Sequence, residues 1–147
     1  MSNKKTGAGQ GILVVLSAPS GCGKTSIVER LLKRHQDWVR SISATTRKPR
    51  VDEKDAQDYF FYSTADFEQK VREGKMLEHA VIYGNLYGTP REFVEEQVAQ
   101  GKIVIMTIDV QGTKQIMESW GQTRPLLSIF ILPPSVKVLR ERLTGRN

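Results

Sequence analysis

The chain has 147 residues, a formal net charge of +6 and 26% charged residues. That length favours a single domain, and 39% hydrophobic residues support a globular core rather than a disordered chain. No apolar run approaches the roughly 18 residues of a membrane span. Residues 1–11 lack the apolar core of a secretion signal and read as a flexible polar tail. The single cysteine, Cys22, can close no internal disulfide, so a cytoplasmic protein is expected. The basic residues are spread out, with arginines gathered in two short stretches, 47–50 and 140–146. No dense basic block interleaved with aromatics is present. This distribution suits discrete anionic groups better than nucleic acid or a membrane surface.

Ile12–Leu16 is a continuous apolar run, β-branched at Ile12, Val14 and Val15, and reads as a strand buried on both faces. Ser17–Gly23 stops it with Ser, Pro and glycines. Lys24-Thr25 then opens an amphipathic helix to Arg34, with Ile27, Leu31 and Leu32 on one stripe. Strand, glycine loop and helix start form a phosphate-cradling unit, in which Ala18, Pro19, Ser20, Gly21, Cys22, Gly23, Lys24 and Thr25 surround a nucleotide's phosphates. Lys24 would reach the β- and γ-phosphates and the Thr25 hydroxyl would ligate Mg²⁺. Ala18 stands where the full G-x-x-x-x-G-K-[ST] pattern has glycine, so a negative φ is expected there. Cys22 fills a variable position of the loop.

Trp38–Ser43 reads as a second strand, followed by residues 44–50 and a charged loop over 51–58. Tyr59–Tyr62 is a short aromatic strand. Ser63 with Asp66 opens a helix over Thr64–Glu73, which Gly74 ends. Met76–Ile82 is a strand, Tyr83-Gly84-Asn85 a turn and Leu86–Gly88 a return strand. Thr89-Pro90-Arg91-Glu92 predicts a helix start with Thr89 as the cap, the helix running to about Gln100. Ile103–Ile108 and Leu126–Leu132 are further buried strands. They alternate with helices over Gln111–Trp120 and, capped by Ser135, over Val136–Leu143. The expected fold class is therefore α/β: a parallel sheet with helices on both faces, plus a small mixed insert within 59–89.

Five stretches together resemble guanylate kinase: residues 17–25, Ser43-Ala-Thr-Thr-Arg-Lys-Pro-Arg50, Leu77-Glu-His-Ala80, Tyr83-Gly-Asn-Leu-Tyr-Gly-Thr89 and Ile108-Asp-Val-Gln-Gly112. The resemblance runs from about residue 12 to the end. It implies a P-loop fold that moves the γ-phosphoryl group of ATP to GMP, giving GDP and ADP, with Mg²⁺ as cofactor. It also implies a division into a core (12–43 and 90–139), a GMP-binding region (44–89) and the start of a lid (140–147). ATP and GMP are the expected partners, and a homo-oligomer is left open.

Arg47 and Arg50, three apart in an irregular segment, can both fork onto one phosphate. The resemblance makes Tyr59 and Tyr87 phenol donors to the same phosphate. It makes Glu78 the carboxylate that accepts guanine N1–H and N2–H₂, with Ser43 and Thr89 on the O6 side. Asp109 would act near Mg²⁺ through a water or on the guanine amine. Thr107 stands where the family usually has an acidic residue, so no carboxylate support of the metal is expected from that position. Arg142 and Arg146 match lid arginines that bridge the two phosphate sites, and with Lys24 and Arg47 they form the expected catalytic set. The family's remaining lid, last strand and last helix would follow beyond Asn147, so the chain is expected to be a fragment or to end early. His79 is a neighbouring strand residue, and neither histidine has metal-ligand spacing. The acceptor phosphate's second pKa of about 6 already supplies a nucleophilic anion, so no general base is needed. The alternative is a guanylate-kinase-like binding module without catalysis. The intact loop residues Lys24 and Thr25 and the acceptor residues Ser43, Arg47, Arg50 and Glu78 weigh against it.

Overall fold

The computed structural model describes residues 9–19 and 22–145. Ser20, Gly21 and Arg146, all expected at the site, lie outside the described residues. In chain order the elements are β1 (Ile12–Ser17), α1 (Lys24–Arg34), β2 (Val39–Arg40), β3 (Ala44–Thr45), β4 (Phe60–Phe61), α2 (Thr64–Arg72) and β5 (Met76–Ile82). They continue with β6 (Asn85–Pro90), α3 (Arg91–Ala99), β7 (Ile103–Thr107), α4 (Val110–Ser119), β8 (Leu126–Phe130) and α5 (Val136–Thr144).

The apolar run of β1 forms the middle of a parallel sheet of order β2-β7-β1-β8. Alternation along β1 divides the core between two faces. Leu13 and Val15 pack with Val94, Val98, Ile116 and Trp120 of the α3 and α4 side. Val14 and Leu16 pack with Val28, Ile27, Leu31 and Leu32 of α1. Covering both faces is what permits an unbroken apolar strand.

A second sheet, of order β4-β3-β6-β5, mixes parallel β3–β4 pairing with antiparallel β3–β6 and β5–β6 pairing. Phe67 of α2 is fully buried against Ala44 and Met76 on one face of this sheet. Tyr83 and Gly84, with φ of 47° and 78°, make the tight hairpin turn between β5 and β6. A bulge between Met76 and Glu78 breaks the strand's alternation. Met76 therefore joins the α2 side, while Glu78, Ala80 and Ile82 face a cavity.

Four local expectations change. Trp38–Ser43 is not one strand: the chain leaves β7 after Ser41 N–H donates to Ile105 O (2.8 Å), and resumes pairing at Ala44 in the other sheet. Thr89 does not cap α3. It lies in β6 with its hydroxyl spent on Glu78, and Pro90 occupies the cap position without a side-chain bond. β8 is not buried on both faces: it is the edge of its sheet, and Leu127, Ile129 and Phe130 are exposed. Gly11 is not tail-like, since it is buried, its N–H donates to Val98 O (3.2 Å), and a Cβ there would run into the Val98 and Lys102 carbonyls. Among the described residues no helix is long and apolar enough to cross a membrane.

Candidate active site

The β1–α1 junction builds an anion cradle. Gly23 adopts φ 78°, ψ 24° at the N-cap of α1, a left-handed conformation natural to glycine, and among the described residues no side chain caps the helix. The first N–H groups of α1 are therefore open to an anion, with the helix dipole behind them. Lys24 Nζ donates to the Ala18 carbonyl at 2.9 Å, which folds the lysine back across the loop. Non-glycine positive φ occurs at Ala56 and Tyr83 among the described residues, and Ala18 is not one of them. Thr25 is exposed beside the loop. Arg142 of α5, with Arg30 and Ser26, lines a recess of about 520 Å³ next to Cys22 and Gly23.

A second cavity, of about 260 Å³, lies where the two sheets meet. Lys24, Thr107 and Asp109 line it from the first sheet's end, and Ser43, Tyr59, Glu78 and Tyr87 from the other side. Glu78 is 8% exposed, and its Oε1 accepts the Thr89 hydroxyl at 2.7 Å, directly across the β5–β6 ladder. Burial pushes the Glu78 carboxyl above the ordinary carboxylate range and the Asp109 charge adds to this, while the Thr89 hydrogen bond opposes it. Asp109 is the N-cap of α4: its Oδ1 accepts from Gly112 N at 2.7 Å, leaving Oδ2 for another partner. Gly112 leaves room for the carboxylates, because a Cβ there would stand 3.2 Å from Glu78 Oε2 and 3.3 Å from Asp109 Oδ1 and would press on both.

Helix α4 fixes these carboxylates relative to one another by closing the free edge of β5. Gln115 Oε1 accepts from His79 N and its Nε2 donates to His79 O, each at 3.1 Å, so one amide side chain replaces a missing neighbouring strand. Ser119 Oγ donates to Leu77 O at 3.2 Å.

The arginine segment is less free than its spacing implied. Arg47 donates through Nη2 to Glu53 Oε1 (2.8 Å) and through Nη1 to Glu53 Oε2 (3.0 Å) and Lys48 O (2.8 Å). Its guanidinium lies 5.5 Å from the Tyr59 ring centre, and Tyr59 meets Tyr87 edge-on at 6.3 Å. The Glu53 carboxylate, and after it the Tyr87 phenol, hold the Arg47 pKa above its ordinary value. Arg47 first, then the Arg50 backbone, hold Glu53 below the usual carboxylate range. Arg50 is exposed and its N–H also donates to Glu53 Oε2 (2.8 Å).

Of the expected residues, Lys24, Ser43, Tyr59, Glu78, Tyr87 and Asp109 thus share one cavity. Thr89 reaches it through Glu78 and Arg47 adjoins it through Tyr59, while Arg50 and Thr25 are exposed and do not line it. Sequence reasoning missed Glu53 and Gln115. Neither carried a sequence signal: Glu53 sits in a charged loop that reads as solvated surface, and Gln115 reads as one more polar helix residue.

The guanylate kinase family model matches residues 10–147. A guanylate kinase of Synechocystis sp. is 52% identical over 138 residues, covering 94% of this chain and 71% of that protein. One of Clostridium perfringens is 45% identical over 147 residues, covering all of this chain and 67% of that protein. Among solved structures, the crystal structure of guanylate kinase from Anaplasma phagocytophilum superposes with a TM-score of 0.68 at 38% identity, over 92% of this chain and 68% of that one. A family model spanning both sheets, and relatives this similar along the same stretch, place the chain in the guanylate kinase family.

Proposed function

We propose that the chain is an ATP:GMP phosphotransferase, in which the β1–α1 loop holds ATP and the cavity between the sheets holds GMP. The observation that carries this reading is Glu78: a buried carboxylate with one oxygen engaged by Thr89, in the same cavity as the loop lysine. Guanine presents N1–H and N2–H₂ as adjacent donors that a carboxylate accepts together. Adenine offers an acceptor at N1 and no N2 amine, so it would leave this buried group unpaired. Ser43 would serve the O6 side of the base, and Thr89 would contribute mainly by orienting Glu78.

The acceptor phosphate would lie against Arg47, Arg50, Tyr59 and Tyr87, and its anionic oxygen is the nucleophile. Lys24 would bind the β- and γ-phosphates, Arg142 would approach from the α5 side, and Arg146 is assigned the same charge-neutralising role. The chemistry then rests on alignment and charge neutralisation. Thr25 and the free Asp109 oxygen are hard oxygen donors, and no cluster of three or more His, Cys, Asp or Glu exists among the described residues. This suits Mg²⁺, which keeps waters and phosphate oxygens around few protein ligands. When bound, the ion would neutralise charge on the transferring phosphates.

The division into a core (12–43 and 90–139), an acceptor region (44–89) and lid residues from 140 follows the same assignment of roles. A cytoplasmic location is the expectation for an enzyme of nucleotide metabolism. A coupled assay of GDP formation from ATP and GMP, run beside AMP, tests the reading. Transfer to GMP with little to AMP is expected, and equal transfer to both would overturn the base-reading role.

A further inference from the structure

The Arg47 guanidinium carries five N–H donors in a fixed plane. Both N–H groups of Nη1 are used, on Glu53 Oε2 and Lys48 O, and one of Nη2 is used on Glu53 Oε1. The remaining two, Nε–H and the second N–H of Nη2, form the side edge of the guanidinium. Among the described residues no hydrogen bond engages Nε–H. This edge is the one that takes an oxyanion in a two-bond fork. The face of Arg47 lies against Tyr59, and the Tyr87 phenol lies within hydrogen-bonding reach of the guanidinium, where it would share a bound oxyanion with the side edge. Glu53 is itself anchored, since its Oε2 also accepts the backbone N–H of Arg50. One carboxylate therefore ties both arginines of the segment and fixes which edge of Arg47 is left over.

We propose that Glu53 is a positioning residue for the acceptor phosphate: it grips Arg47 end-on, so that the guanidinium's side edge is presented, already oriented, to the phosphate of GMP. The proposal rests on the assignment of Arg47 to that phosphate. The opposite role is also chemically coherent. A carboxylate in the arginine fork can be a stand-in that the phosphate must displace, and its removal would then tighten binding. The two roles predict opposite signs.

The test is isothermal titration of the chain with GMP and with guanosine, for the parent, Glu53→Gln, Arg47→Ala and the double variant, with melting curves for each. The expected result is that Glu53→Gln weakens GMP about tenfold and leaves guanosine unchanged, because guanosine has no phosphate for Arg47 to hold. Arg47→Ala should weaken GMP further, and the double variant should be no worse than Arg47→Ala alone. If Arg47→Ala weakens GMP while Glu53→Gln leaves it unchanged or tightens it, the positioning role is overturned and the phosphate site stands. Equal weakening of GMP and guanosine by Glu53→Gln would make its role structural and likewise overturn the proposal. If Arg47→Ala leaves GMP unchanged, the phosphate-site assignment fails and the proposal falls with it.

Discussion

Thr89 donates its hydroxyl to Glu78 at 2.7 Å from the position directly opposite it in the β5–β6 ladder. The pairing register thus holds a buried carboxylate in one orientation, and a fully buried threonine, unable to turn elsewhere, keeps it there. The remaining oxygen faces Gly112, where the absence of a side chain leaves it room.

This arrangement costs stability for the sake of the site. A buried acid whose pKa is raised binds its proton more tightly in the folded state. Folding therefore becomes less favourable as pH rises from the ordinary carboxylate range to the raised Glu78 pKa, and the cost is present in full above it. Glu78→Gln is expected to raise the ligand-free melting temperature at pH 7 by about 2–4 °C, the shift that roughly 1 kcal/mol produces in a chain of this size. The advantage should shrink as pH is lowered through the raised Glu78 pKa. Calorimetric melts of both proteins across that range check it. A variant less stable at pH 7 would contradict the burial cost.

The same titration should appear in binding. Guanosine carries no phosphate to titrate, and its recognition requires the ionised Glu78. Its affinity is expected to be flat above the raised Glu78 pKa and to fall below it by up to about tenfold per pH unit, with Glu78→Gln showing a weak, pH-independent affinity. Titration of guanosine from pH 8 downwards measures this.

Gln115 closes the outer edge of β5 with two hydrogen bonds to the backbone N–H and C=O of one residue, His79. Gln115→Ala is expected to destabilise the fold by about 1–2 kcal/mol, given the usual net worth of such bonds. It should also weaken GMP by a few-fold, because α4 and β5 carry Asp109 and Glu78 respectively. Denaturant titration and GMP binding read the two effects separately. Exchange protection of the β5 amides equal to the parent's would argue against the edge-closing role.

Among the described residues the Lys24 side chain makes one hydrogen bond, to the Ala18 carbonyl, at the start of α1. Lys24→Ala is expected to abolish ATP binding while shifting the melting temperature by no more than a degree or two, because a loop lysine serves phosphates and not the core. A large loss of stability without nucleotide would make Lys24 structural.

Elements governed by periodicity were legible in the sequence: β1, α1, α2, β5 and α3 lie within a residue or two of their expected limits. The exposure of β8 was not, because an apolar run records only what a strand could bury, and among the described residues β8 has a neighbour, β1, on one side only. Thr89 illustrates a different limit. Thr-Pro-x-Glu is a sound capping signal, yet a buried carboxylate across the ladder competes for the same hydroxyl, and satisfying that buried group outweighs capping the helix. Asp109 shows the reverse case, where a residue singled out for the site also caps α4. Glu53 was hidden because a charged loop over 51–58 reads as solvated surface until the backbone brings its carboxylate against Arg47.

The central claim is that a buried Glu78 selects guanine as the acceptor base. Isothermal titration of the chain with GMP and with AMP, repeated on Glu78→Gln, tests it most directly. The account predicts one site per chain, GMP bound at least roughly 100-fold more tightly than AMP, and a variant in which GMP affinity drops and most of that discrimination disappears. Comparable affinity of the parent chain for GMP and AMP, or full discrimination retained by Glu78→Gln, would contradict it.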